Sequence, residues 1–273
     1  MRGRTPVITR APAVAGTFYP GTPKAVDAEL TQLMPVRPVG PARAVVVPHA
    51  GWMYSGAVAG ETYAQVAVPR LAVLLGPNHT GLGAPGALMR EGAWRYPGGT
   101  VPLARELAAA LLAASAELAE DAAAHLREHA LEVQLPFLHR RQPDLAIVPI
   151  TLGRTDPVFC RAIGEAVGRV LAGWPEPALV VDSTDLNHYE SQAVSNRKDR
   201  LAIEAILALD PDALWRTVER HDISMCGIAP TQALLWAAPA LGVRAARLVR
   251  YQTSGDVSGD LTRVVGYAGL VLE

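Results

Sequence analysis

The sequence predicts an α/β fold in which helices pack around a mainly parallel central sheet. Two observations lead to this prediction. Short apolar runs rich in β-branched residues recur along the chain, and longer amphipathic stretches separate them. The candidate strands are residues 44–48, 71–75, 145–151, 178–181, 245–251 and 264–272. The candidate helices are residues 24–34, 56–66, 102–117, 130–140, 156–172, 191–208, 211–219 and 230–240.

Length and composition indicate one globular domain over residues 1–273. Half of the 273 residues are hydrophobic and 19% are charged, which is typical of a chain with a well-buried core. The Pro-rich piece 35–41 resembles a linker, but the part before it is too short for a domain, so it should join the first helix to the first core strand. The Gly- and Pro-rich stretch 81–102 should form a hairpin or a loop beside the site.

Charge and hydropathy exclude several classes of partner. Lys plus Arg (25) nearly balances Asp plus Glu (26), so we expect no binding to nucleic acid. No apolar run approaches the roughly 20 residues of a membrane span, and the basic first residues precede no apolar stretch of signal-peptide length. We therefore expect a cytoplasmic protein without membrane association. Its two cysteines are too few for a disulfide-stapled scaffold and should be free thiols.

Polar residues directly follow three of the candidate strands, where ligands collect in open α/β sheets. His49 follows the first strand and His79 the second, and the segment after 178–181 contains Asp185 and His188. Each histidine alone is explained as well by capping a turn or by donating to a nearby carbonyl. Two imidazoles from neighbouring strand ends, however, predict a transition-metal site.

A third ligand is needed, and Cys226 is the candidate, in a turn before the helix 230–240. A nearby helix N-terminus should favour its thiolate, although a small buried thiol is the alternative interpretation. Cys160, inside an amphipathic stretch, should be such a buried thiol. His125 and His129 are four residues apart and would share one face of a helix. Because no third ligand accompanies them, we interpret His125 as structural and His129 as a residue that lines the site.

At these positions the sequence resembles the Memo family, whose bacterial members are often called AmmeMemoRadiSam system protein B. The matching stretches are PAVAGTFYP (12–20), VPHAGWMYSG (47–56), LGPNH (75–79), EHALEVQLPF (128–137), STDLNHY (183–189) and CG (226–227). The resemblance implies a single-domain α/β/α sandwich like that of class III extradiol dioxygenases. It also implies metal ligands at His49, His79 and Cys226, with Asp185 and His188 lining the same cavity.

The resemblance favours iron (Fe²⁺) as the cofactor, with copper or zinc as alternatives that a thiolate also accepts. In ring-cleaving relatives a carboxylate stands where Cys226 stands here, a departure that argues against ring cleavage. His188 would move a proton in catalysis, and Asp185 would orient His188 or another residue of the site.

Three functional hypotheses follow. The first is a non-haem metal-dependent redox enzyme or oxygenase acting on a small aromatic or chelating substrate. The second is a non-catalytic protein that uses the cavity to handle metal or to bind a peptide or partner. Family association adds a radical-SAM protein and an Amme-type protein as partners. The third is a hydrolase built on Ser183 or Ser55, which lack the Gly-x-Ser-x-Gly motif.

Overall fold

The computed structural model describes residues 9–273. Its strands are β1 (Thr9–Arg10), β2 (Ala44–Val47), β3 (Leu71–Pro77), β4 (Gly86–Leu88), β5 (Ala93–Tyr96), β6 (Gly99–Pro102), β7 (Ala119–Glu120), β8 (Ala146–Leu152), β9 (Ala178–Ser183), β10 (His188–Glu190), β11 (Ala246–Thr253) and β12 (Val264–Leu272). Its α-helices are α1 (Pro23–Leu33), α2 (Trp52–Ala64), α3 (Arg105–Ala114), α4 (Leu135–Arg141), α5 (Pro157–Ala172), α6 (Gln192–Leu207), α7 (Pro211–His221), α8 (Ile228–Ala237) and α9 (Gly255–Ser258).

Among residues 9–273, nine strands form the central sheet, and its middle is parallel. The order is β10-β12-β2-β9-β3-β8-β4-β7, with β11 also paired to β12. The four strands β2, β9, β3 and β8 run parallel, whereas β12 pairs antiparallel with β2, and β4 pairs antiparallel with β8. Consequently the carboxyl ends of β2, β3 and β9 meet at one edge, where the candidate site residues follow them.

Helices cover both faces of this sheet because its central strands are apolar on both sides. In β2, Ala44 and Val46 pack into the core beneath α3, α5, α6, α7 and α8, while Val45 and Val47 pack toward α1, α2 and α4. The predicted arrangement of helices on both faces of a central sheet is confirmed. The stretch 81–102 contains the predicted hairpin, formed by β5 and β6, which pairs with β1 in a separate three-stranded sheet.

Two helices begin four or five residues from their predicted starts, α2 earlier and α4 later. α2 begins at Trp52, directly after the Gly51 turn, and the Trp52 N–H, which has no partner within the helix, donates to the carbonyl of Phe18 at 2.7 Å. The predicted helix 130–140 is α-helical only from Leu135, preceded by a 3₁₀ turn over Glu132–Gln134. No helix among residues 9–273 is long and apolar enough to cross a membrane.

Candidate metal site

His49 lies just beyond β2, in the turn that leads into α2, and is 2% exposed. Its backbone N–H donates to Asp185 Oδ1, two residues beyond β9, at 2.8 Å. This hydrogen bond holds the ends of two neighbouring parallel strands together. Asp185 was predicted to orient His188 or another residue of the site, and its contact is with the backbone of His49.

The hydrogen bonds of His49 define which ring nitrogen carries the proton. Nδ1 lies 3.0 Å from Ser183 Oγ. That hydroxyl donates its single proton to the carbonyl of Ala130 at 2.7 Å, so it accepts from Nδ1–H of His49. Nε2 therefore carries the lone pair, and it lies 3.2 Å from the sulfur of Cys226.

Glu128 fixes His79, which follows β3, in the same tautomer. Glu128 Oε1 accepts from His79 Nδ1 at 2.9 Å, and Oε2 accepts from the His79 backbone N–H at 2.6 Å. An ionised carboxylate only accepts hydrogen bonds, so Nδ1 carries the proton and Nε2 has the lone pair. Metal-binding histidines almost always donate their second ring N–H to a carboxylate, a carbonyl or water in this manner.

Glu128 also shapes the segment that carries His129. Its Oε1 accepts from the backbone N–H groups of His129 and Ala130 at 2.8 and 2.9 Å. Burial acts to raise the pKa of Glu128, but the hydrogen bonds from the His79 ring and from the N–H of Ala130 outweigh burial and lower it to about 2. The site thus contains a buried carboxylate that is ionised at neutral pH.

The ring of His129 lies between the rings of His79 and Phe18, with centroid distances of 4.7 and 4.6 Å. Burial, and then the charge of His49, lower the pKa of His129 to about 4. Burial, and then the charge of His79, lower the pKa of His49 to about 3. Both imidazoles are neutral at pH 7, which is the form that binds a metal ion.

Cys226 approaches the site in a turn packed tightly on the end of β9. Its Sγ accepts from the backbone N–H of Asp185 at 3.3 Å, and the next N–H, of Gly227, donates to Thr184 Oγ1 at 3.1 Å. A Cβ on Gly227 would lie 2.3 Å from Thr184 Cβ, so only glycine permits this approach. The turn brings the sulfur against His49, whereas the cluster of ring nitrogens within 4.8 Å of one another consists of His49, His79 and His129 and does not include Cys226.

The prediction that Cys226 is a thiolate is wrong for the protein without a bound metal ion. Burial, and then the charge of Asp185, raise its pKa well above 9.0. Desolvation outweighs the stabilisation that the N-terminus of α8 offers a negative charge. With its own proton, the sulfur has two acceptors within reach, Nε2 of His49 at 3.2 Å and the carbonyl of Asp185 at 3.6 Å. Cys160, by contrast, is the predicted buried thiol, since burial raises its pKa to about 12 within α5.

His188, at the start of β10, has its ring fixed by Ser224. Nδ1 lies 2.8 Å from the Ser224 carbonyl, which only accepts, so Nδ1 is protonated and Nε2 is free to take up a proton. His188 is not among the three histidines, His49, His79 and His129, whose ring nitrogens lie within 4.8 Å of one another.

The donor atoms present fit a transition-metal ion. One ring nitrogen from each of His49, His79 and His129 lies within 4.8 Å of the others. Two nitrogens bound to one ion at about 2.1 Å are about 3–3.5 Å apart, so small side-chain shifts would bring the three together. The 3.2 Å between His49 Nε2 and Cys226 Sγ is already in that range. Imidazole with sulfur suits iron, copper and zinc.

The sequence profile of Memo-like proteins matches residues 10–271. This chain belongs to the Memo-like family. A MEMO1 family protein of Methanopyrus kandleri is 42% identical over 277 residues, covering 96% of this chain and 98% of the relative. A MEMO1 family protein of Thermotoga petrophila is 39% identical over 279 residues, covering 96% of this chain and 99% of the relative. The resemblance read from the motifs is confirmed over nearly the whole sequence.

The Memo-like chain also has the fold of a solved structure. The uncharacterized protein JW3007 of Escherichia coli K12 matches with a TM-score of 0.55 at 12% identity, covering 82% of this chain and 98% of that protein. At this identity the likeness concerns the fold alone, and it supports the central sheet with flanking helices.

Neither serine of the hydrolase hypothesis is available as a nucleophile in this Memo-like protein. The buried Ser183 hydroxyl donates to Ala130 and accepts from Gln134 Nε2 at 3.0 Å, besides its contact with His49. The Ser55 hydroxyl donates to the carbonyl of Ala50 at 2.8 Å. These contacts remove the structural basis for a serine hydrolase.

The pair His125 and His129 does not share a helical face. His125 is fully buried away from the site, and its Nε2 lies 3.2 Å from the carbonyl of Ala87, so it is structural as predicted. His129 is a closer neighbour of His49 and His79 than the sequence indicated. Glu128 was not predicted as a site residue, although it is the first residue of the family-like stretch EHALEVQLPF (128–137) and directly precedes a histidine.

Proposed function

We propose that this Memo-like protein binds a redox-active transition-metal ion and catalyses an oxygenase-type reaction on a small aromatic or chelating substrate. Ferrous iron is the proposed ion. One observation carries the proposal. The rings of His49 and His79 are both held with Nε2 unprotonated, by Ser183 and by Glu128, beside a third imidazole.

His49, His79 and Cys226 are the proposed ligands, and His129 offers a further nitrogen within reach. A metal ion held there would supply Lewis-acid and redox chemistry at the positions that the protein leaves open. Since His49 and His129 are already neutral, only the sulfur ligand must lose a proton. The ionised Glu128 adds a buried negative charge that favours a cation.

His188 is the proposed general base. Its Nε2 has the lone pair because Nδ1–H is donated to Ser224. A substrate hydroxyl that approaches the site could transfer its proton to this nitrogen, which raises the negative charge on the substrate oxygen and favours its binding to a cation. Asp185 contributes by holding the backbone of His49.

The alternative function is metal handling without catalysis. A cysteine sulfur, rather than a carboxylate, lies beside His49. Thiolate is a soft ligand and suits copper(I) and zinc better than it suits hard, oxygen-seeking ions. On this alternative the same cavity would hold the ion for delivery or for binding a peptide.

Metal content tests the proposed site. The chelator-treated protein is reloaded anaerobically with Fe²⁺, Zn²⁺ or Cu⁺, desalted and analysed for metal. We expect about one ion per chain in the wild type and in the control His221→Ala, whose histidine is exposed on α7. We expect loss of the ion in His49→Ala and His79→Ala. Full retention in both folded variants would refute the site.

Oxygen consumption then separates the two functions. The iron-loaded protein is supplied with a panel of catechols and other small chelators while dissolved oxygen is recorded. We expect substrate-dependent uptake that is lost in His188→Gln although its metal content is retained. Stoichiometric metal binding with no uptake above that of iron alone, and rapid transfer of copper or zinc to an acceptor, would favour metal handling.

A further inference from the structure

Among the side chains that hold the turn carrying Cys226, Asn187 is the one that binds its middle, at Ser224. This turn, residues 222–227, joins α7 to α8 without regular structure. The backbone N–H of Ser224 donates to Asn187 Oδ1 at 3.1 Å, and the Ser224 hydroxyl lies 3.2 Å from the same oxygen. Since Ser224 is exposed, it has little packing of its own to fix it.

The same serine sets the ring of His188. The backbone N–H of His188 donates to Ser224 Oγ at 2.8 Å, and its Nδ1–H donates to the Ser224 carbonyl at 2.8 Å. Both contacts depend on where the backbone of Ser224 lies. A shift of this turn by one ångström or more would lengthen them beyond hydrogen-bonding distance and leave both ring tautomers accessible.

Asn187 is itself rigidly placed. It is fully buried, and its Nδ2 donates to Glu190 Oε2 at 2.7 Å and to Ser195 Oγ at 3.2 Å. Its backbone N–H donates to Asp199 Oδ1 at 2.8 Å. The amide therefore uses both donors on one side and its oxygen on the other, toward Ser224. A carboxylate at this position would face the carboxylate of Glu190, so the amide is chemically required.

We infer that Asn187 is the positioning residue that joins His188 to the Cys226 turn and keeps the His188 imidazole protonated on Nδ1. This inference rests on the proton-transfer role proposed for His188. Asn187 acts through Ser224. Two residues after Ser224, the sulfur of Cys226 accepts from Asp185 N, so segments 185–188 and 224–226 are connected at both ends. Displacing Ser224 therefore disturbs the proposed base and the proposed sulfur ligand together.

The tautomer of His188 is the readout that a purely structural role would not change. Full-length protein labelled with ¹⁵N-histidine is treated with chelator and examined by long-range ¹H–¹⁵N correlation at about pH 8.5, above the ordinary imidazole pKa of about 6.5. His188→Gln assigns the resonance among the seven histidines. We expect the Nδ1–H form in the wild type and in Ser195→Ala, which removes only a contact on the far side of Asn187.

In Asn187→Ala we expect the Nδ1–H form of His188 to fall from nearly all molecules to a minority, because a neutral histidine ring released from its acceptor favours the Nε2–H tautomer. Alkylation of Cys226, measured against Cys160 in the same chain, should rise by about tenfold as access increases. A folded Asn187→Ala with wild-type His188 resonances would overturn the inference.

If Asn187→Ala does not fold, Asn187→Leu is measured in its place, since it fills the same buried space but offers no acceptor to the Ser224 N–H. An unchanged His188 tautomer in this variant would equally overturn the inference. Because these spectra require no metal, a failure of metal binding would refute the proposed function and leave this result unaffected.

Discussion

Glu128→Gln is the substitution that tests most directly how the site is organised. The two side chains have the same shape, so the change replaces one carboxylate oxygen by an NH₂ group and removes a charge. In the wild type, Oε1 accepts from the His79 ring and from the N–H groups of His129 and Ala130, whereas Oε2 accepts only from the His79 N–H. The glutamine should therefore place its oxygen at the Oε1 position.

That orientation keeps three hydrogen bonds and turns the fourth into a contact between two donors, the new NH₂ group and the His79 N–H. An unsatisfied buried donor costs about 1–3 kcal/mol, and part of this appears as displacement of His79. The negative charge that favours a nearby cation is also lost. Both effects agree with the loss of about 10- to 100-fold in metal affinity that is usual when the hydrogen-bond partner of a ligating histidine is removed.

Competition between the protein and a chromophoric chelator for Co²⁺ or Zn²⁺ measures this loss. Glu120→Gln, a change of the same kind at an exposed carboxylate in β7, is the matched control and should bind as tightly as the wild type. Unfolding by urea tells whether each variant retains its fold. A folded Glu128→Gln protein whose affinity is within twofold of the wild type would refute the role assigned to Glu128.

Three further outcomes are expected. Arg10→Met leaves the buried carboxylate of Glu132 without its ion-pair partner and should lower the free energy of unfolding, measured with urea, by about 3–5 kcal/mol. Adding Glu132→Gln to this variant removes the unpaired charge and should restore part of that free energy. Burial lowers the pKa of His125 to about 4 in the folded protein, below the ordinary value of about 6.5 that applies to the unfolded chain. The free energy of unfolding should therefore be unaffected by this group above pH 6.5 and should fall by about 3 kcal/mol as the pH falls toward 4. His125→Gln should reduce the difference in unfolding free energy between pH 7.5 and pH 4.5. Binding of a cation should release one proton, from Cys226. Titration calorimetry in two buffers with different ionisation enthalpies measures the number of protons released.

The sequence predicted the residues of the site best where regular structure places them. His49 and His79 directly follow β2 and β3, and parallel strands bring such residues to one edge whatever the rest of the chain does. The central strands were recognisable because runs buried on both faces are apolar throughout. Strands of two or three residues, such as β7 and β10, are too short to show any periodicity, and they were missed.

Features that depend on tertiary contacts were not predictable from the sequence. The apolar pattern from Leu131 onward is that of a helix, but Glu128 binds the backbone N–H groups after it and α4 begins only at Leu135. That irregular segment carries His129 into the site. The protonation of Cys226 likewise depends on burial against Thr184 and Asp185, which no local pattern of residues encodes.

The release of one proton distinguishes the two donor sets that the geometry brings together. A site made of His49, His79 and His129 would bind a cation without losing a proton above about pH 7.5, because neutral imidazoles are the ligand form. A site that includes Cys226 must lose the thiol proton, since the pKa of this thiol is well above 9.0. The logarithm of the association constant should then rise by about one for each pH unit between about pH 7.5 and 8.5. Cys226→Ser should remove this slope and weaken binding. A flat profile in the wild type would show that the sulfur is not a ligand and that three imidazoles alone hold the ion.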